Sequence, residues 1–71
     1  MNEKFFSLPE KRQDLIRSSA MLEFGENTFK KTSADAIAKR AGVSKGLLFH
    51  YFKDKRDLYL YLYQYALDVC V

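Results

Sequence analysis

Cysteine is nearly absent from these 71 residues: Cys70 stands alone, so no intramolecular disulfide can form. The one histidine, His50, has no second His, Cys or Asp placed beside it with metal-ligand spacing. Paired carboxylates, a nucleophile–base set and a glycine-rich phosphate loop are also missing, which removes the usual starting points for an enzyme. No apolar run approaches membrane-spanning length, and residues 1–6 lack the long apolar region of a signal peptide. These absences point to a cytoplasmic protein with no cofactor, no metal and no membrane partner. One small domain fits in this length, near the lower limit for folding without a staple, so helix packing must supply the stability.

What is present is apolar and basic. Hydrophobic residues make up 48% of the chain and charged residues 30%, a globular balance and not a disordered one. The net charge is only +3, but it is unevenly placed. Residues 30–56 hold eight basic side chains against Asp35 and Asp54, an excess of six, which leaves the remainder at −3. Such a patch draws polyanions through phosphate contacts and counterion release, although a merely solvated lysine face would carry the same charge.

Residues 1–6 read as a flexible arm. Ser7-Leu8-Pro9-Glu10 reads as a helix start, with Ser7 as cap, the only proline in the first turn and Glu10 at capping-box spacing. This first predicted helix runs to about Phe24, with Ile16, Ala20 and Phe24 on one face. Gly25–Thr28 breaks it, Phe29 returns to the core, and Lys30 and Lys31 are exposed. A second predicted helix spans Ala34–Ala41, with Thr32 and Asp35 at capping-box spacing and Ile37, Ala38 and Ala41 inward. Gly42 supplies a left-handed stop. Ser44 caps a third helix, Lys45–Phe52, with Val43 and Leu48 spaced as a hydrophobic staple and Leu48 and Phe52 facing the core.

Two short helices joined by a tight, glycine-containing turn form a helix-turn-helix over about 33–52, whose second helix can enter the DNA major groove. Asp54 caps a fourth helix. Its segment Leu58–Tyr65 alternates like a strand, yet nearly every residue is apolar or aromatic, so the alternation carries little information and the cap favours helix. Apolar residues then surround that helix, and one face needs a partner. Residues 59–71 are expected to lead into a regulatory domain beyond Val71, where Cys70 is a small buried hydrophobe.

The series Ile16, Ala20, Phe24, Phe29, Thr32, Ile37-Ala38, Ala41-Gly42-Val43-Ser44-Lys45-Gly46, Leu48-Phe49-His50-Tyr51-Phe52-Lys53, Lys55 and Leu58 resembles the N-terminal DNA-binding domain of TetR/AcrR-type transcriptional regulators. The resemblance covers roughly residues 8–58. It implies an all-α fold: a homeodomain-like, three-helix core over 7–58 and the start of a connecting fourth helix. It further implies a dimeric, ligand-responsive regulator, most often a repressor, that binds a palindromic double-stranded operator. The homodimer and the small-molecule inducer would both belong to a C-terminal domain absent from this chain.

Carried over by position, Thr32 and Ser33 would meet the DNA backbone, and Ser44 and Gly46 would approach phosphate or base edges. Lys45 would read a base, because lysine can donate to guanine O6 and N7. His50 and Tyr51 would lie along phosphates or bases, and Lys55 would clamp a phosphate. Leu47 and Phe49 depart from the family's usual polar residue and tyrosine, implying apolar contacts in the groove. Ala34 lacks a hydroxyl that many relatives carry, and Thr28 replaces a frequent glycine. The competing class is a helical protein-interaction module that uses the apolar face of the fourth helix, against which the clustered charge and aromatic recognition helix argue.

Overall fold

The computed structural model describes residues 3–69, and every regular element among them is helical. The helices are α1 (Glu3–Phe6), α2 (Glu10–Glu26), α3 (Ala34–Ala41), α4 (Lys45–Tyr51) and α5 (Lys55–Val69). The first, second, third and fourth predicted helices correspond to α2, α3, α4 and α5. Met1, Asn2, Cys70 and Val71 lie outside the described residues, and with them the expectation for Cys70.

The flexible-arm expectation fails for residues 3–6. They form one helical turn, and Phe5 is fully buried. Its ring lies 5.0 Å from that of Phe52, 5.3 Å from Tyr61 and 6.1 Å from Tyr51, so it plugs the junction of α4 and α5. Burying an aromatic ring stabilises a small domain by about 1.5–3 kcal/mol, enough to order a short arm. Ser7 does not cap α2; its Oγ donates to the Lys4 carbonyl at 2.7 Å and closes α1 instead. The α2 helix begins after Pro9, whose carbonyl accepts from the amides of Arg12 and Gln13. The buried Gln13 side chain donates to the carbonyls of Phe6 and Leu8, satisfying the intervening turn.

The α2 helix also ends later than Gly25–Thr28 was expected to stop it. It passes Gly25 and stops at Glu26, where Asn27 turns extended while its amide and its Nδ2 both donate to the Glu23 carbonyl. A glycine costs a helix only about 1 kcal/mol, which surrounding packing overrides. Phe29 is likewise no core residue: it is 41% exposed and packs against Phe24 and Tyr59 at the rim.

The core is one cluster: Phe5, Ile16, Ala20, Ile37, Ala38, Ala41, Leu48, Phe52, Leu58 and Leu62. The small Ala38 and Ala41 let α4 approach α3, as their size predicts. α5 is helical and buries Leu58 and Leu62, which resolves the ambiguity between strand and helix. Arg17 joins it to α2. Its guanidinium is buried, donates to the Tyr61 hydroxyl at 3.0 Å, pairs with Asp14 and lies 4.4 Å over the Tyr65 ring. Burial alone lowers the pKa of this group, but the contacts with Tyr61 and Asp14 outweigh it and raise the net value. No helix among the described residues is long and apolar enough to cross a membrane.

Candidate nucleic-acid interface

The turn between α3 and α4 is built from local chemistry. Gly42 sits at φ 72°, ψ 27°, the left-handed region that a Cβ disfavours. The Gly42 amide donates to the Lys39 carbonyl and the Val43 amide to the Ala38 carbonyl, the paired bonds of a Schellman stop. Two residues later the Ser44 hydroxyl accepts from the Leu47 amide at 3.0 Å and starts α4. The Ser33 hydroxyl does the same for α3 by accepting from the Ala36 amide at 3.3 Å. The helix-turn-helix therefore has a stop and two caps: Gly42 and Ser44 act as expected, whereas α3 is capped by Ser33 and not by Thr32.

On α4, Leu48 is buried and Tyr51 half-buried, while Lys45, Gly46, Phe49 and His50 are exposed and Leu47 is intermediate. The outer face thus joins one cation, one aromatic ring, one imidazole and a residue without a side chain. Gly46 is informative because nothing internal requires it. Its φ is not positive, and the nearest atom to a Cβ built there is the Ser44 Oγ at 4.0 Å. A helical glycine destabilises by about 0.5–1 kcal/mol relative to alanine, so Gly46 leaves bare backbone on the outer face of α4 at a small cost to the helix.

Two residues assigned to the interface from sequence are engaged internally. Thr32 is buried: its amide and hydroxyl both reach the Thr28 carbonyl, at 3.0 and 2.8 Å, so neither is left for a phosphate. It also takes no part in a capping box, since Ser33 is the cap. Lys55 is half-buried, with Nζ donating to the carbonyls of Phe29 and Lys30 at 2.6 and 3.2 Å and lying 4.5 Å from the Phe29 ring centre. This lysine binds the loop before α3 to the start of α5. Asp54 caps α5 by accepting from the Asp57 amide at 2.8 Å, and Asp57 accepts in return from the Lys53 amide.

The charge is partly spoken for. Arg40 pairs with Glu23 at 2.8 Å and Glu26 at 3.1 Å, so it fastens α3 to α2 instead of adding a free cation. Lys45 faces Asp35 across the two helices, Nζ to Oδ2, at 3.5 Å. Lys30, Lys31, Lys39, Lys53 and Arg56 remain exposed. Sequence reasoning could not locate the Arg40 pairs or the Lys45–Asp35 pair, because no local spacing rule links residues ten or more apart on different helices. Among the described residues no group of three or more His, Cys, Asp or Glu is placed to hold a metal ion.

Residues 16–62 match the family model for bacterial regulatory proteins of the tetR family. The chain is 46% identical over 50 residues to the HTH-type transcriptional regulator BetI of Yersinia pestis (strain Pestoides F), covering 70% of this chain and 25% of that protein. It is 40% identical over 48 residues to an HTH-type transcriptional regulator of Staphylococcus aureus (strain USA300), covering 68% of this chain and 26% of that one. A crystal structure of a TetR family transcriptional regulator from Chloroflexus aurantiacus J-10-FL superposes with a TM-score of 0.87 at 39% identity, covering 93% of this chain and 30% of the other. The chain spans about a quarter of the length of the curated relatives it matches. With its helix-turn-helix, its capped α3 and α4 and this agreement in sequence and shape, the chain belongs to the tetR family of bacterial regulatory proteins.

Proposed function

We propose that this chain is the operator-binding part of a transcriptional regulator and binds double-stranded DNA sequence-specifically, with α4 in the major groove. The observation that carries the reading is the outer face of α4: Lys45, Gly46, Phe49 and His50 are exposed on a helix whose other side is locked in the core. Lys45 is suited to guanine O6 and N7, Leu47 and Phe49 to thymine methyl groups and sugars, and Gly46 to close backbone approach. Ser33 and Ser44, both exposed, stand at helix starts where hydroxyls and amides meet phosphates. His50 and Tyr51 flank the groove, and Lys30, Lys31 and Lys53 supply long-range attraction. Thr32 and Lys55 hold the loop that presents Ser33.

In the whole protein we place a homodimer that reads a palindromic operator and represses until a small-molecule inducer binds outside these residues. The exposed Leu60, Tyr63 and Leu67 of α5 are where the rest of such a protein would pack. Two domains in a dimer read half-sites about one helical turn or more apart. The protein is then cytoplasmic and not an enzyme.

The deciding experiment is selection of bound duplexes from a random pool at low salt. Enrichment of a short motif, with affinity falling steeply as salt rises, is the expected result. Binding without enrichment would reduce the surface to a phosphate binder. No binding would favour a protein-interaction module that uses α5.

A further inference from the structure

The ion pair between Asp35 and Lys45 lies within the surface proposed to meet DNA, and its acidic member is out of place there. A carboxylate among basic side chains opposes the approach of phosphates. Asp35 lies in the first turn of α3, where its charge suits the helix dipole, but Ser33 supplies the cap, so the Asp35 carboxylate is not taken up as the helix's capping acceptor. Its carboxylate faces the Lys45 ammonium at 3.5 Å, longer than a tight charge-assisted bond. The Lys45 and Asp35 side chains are 54% and 70% exposed, so both retain donors and acceptors that a third group can reach.

We propose that Asp35 and Lys45 together form a specificity-determining pair that reads one G·C base pair, with Lys45 donating to guanine O6/N7 and Asp35 accepting from the cytosine N4 amino group. The inference rests on the reading of α4 as the major-groove helix. A G·C pair displays two acceptors beside a donor along its major-groove edge. An ammonium and a carboxylate held side by side present the complementary order. Reversal to C·G sets donor against ammonium and acceptor against carboxylate. A T·A pair keeps one acceptor and the donor, but puts a methyl group in place of guanine N7.

Pairing also changes sequence-independent binding. A lone Lys45 would bind any phosphate within reach. With its charge balanced by Asp35, it gains little from phosphate and most from a base edge that satisfies both partners. Asp35 thus lowers binding to random DNA and raises discrimination at one position.

The test is duplex selection followed by affinity measurement with the parent chain, Asp35→Ala, Lys45→Ala and the double variant. The parent is expected to prefer G·C over C·G at one position by about fivefold or more. Asp35→Ala should lose that preference, bind random duplexes more tightly and steepen the salt dependence by about 1. The double variant should lose no more preference than either single variant. Asp35→Asn keeps the shape, guards against a folding defect and should also tighten random binding.

An unchanged base preference in Asp35→Ala and Asp35→Asn would overturn the pair while leaving DNA recognition intact. So would a parallel loss on all duplexes with a lowered melting temperature. A parent chain that enriches no motif would remove the DNA reading itself, and this inference with it.

Discussion

The Phe5 ring lies 5.0 Å from that of Phe52, so the first helical turn of the chain touches the residue that ends α4. The N-terminal turn is therefore part of the frame that holds the outer face of α4 in place.

Phe5→Ala should accordingly cost about 3–5 kcal/mol. A chain of this length has a total of about 4–10 kcal/mol, so the loss is a large share of it. Thermal unfolding followed by circular dichroism would measure it. A shift of only a degree or two would mean that α1 is dispensable.

Gly42→Ala should destabilise by about 1–2 kcal/mol through backbone strain alone. No atom lies within 4 Å of a Cβ built at Gly42, so no clash adds to the cost. Gly42→Asn should recover part of the loss, because asparagine tolerates the left-handed region. Urea denaturation of both variants checks this, and equal losses would point to something other than φ.

Gly46→Ala separates folding from binding. Its stability should stay level or rise by about 0.5–1 kcal/mol. Affinity for a selected duplex should fall roughly tenfold, or ~1.4 kcal/mol, if DNA approaches the bare backbone. Unchanged affinity would move Gly46 out of the interface.

Lys55→Met removes the bonds to the Phe29 and Lys30 carbonyls while keeping an apolar stem. Amide exchange across residues 27–33 should quicken, and stability should fall by about 1 kcal/mol. The salt slope of DNA binding should stay as it is. A slope reduced by about 1 would assign Lys55 to a phosphate instead.

The parts legible in the sequence are those fixed by neighbours. Gly42, Ser44 and Asp54 act within four residues of themselves, and each does what its residue type favours; for α3 the choice between the adjacent Thr32 and Ser33 as cap was settled by the burial of Thr32. Apolar residues all round α5 hid its inward Leu58 and Leu62. The inward positions of α2 to α4, with Phe52 at the end of α4, repeat at helical spacing, so Ile16, Ala20, Ile37, Leu48 and Phe52 were readable as core. Phe5 was not: one aromatic in a four-residue turn has no period, and its neighbours Phe52 and Tyr61 lie some fifty residues on. The same holds for Lys55, whose partners are backbone carbonyls that no side-chain pattern reveals. For Thr32, burial turned a hydroxyl expected outside into one satisfied within. Of the candidate site, the outer face of α4 followed from its helical register, whereas the pairing of Asp35 with Lys45 depended on how two helices cross.

The stop at Gly42 and the cap at Ser44 close the α3–α4 corner with bonds from residues 38–47 alone. The corner is consequently a self-contained joint, and Lys45, Gly46, Phe49 and His50 hang from it without contributing to the buried cluster. These positions can be exchanged independently of the fold, so new recognition could be written onto this scaffold one side chain at a time without first solving a new folding problem.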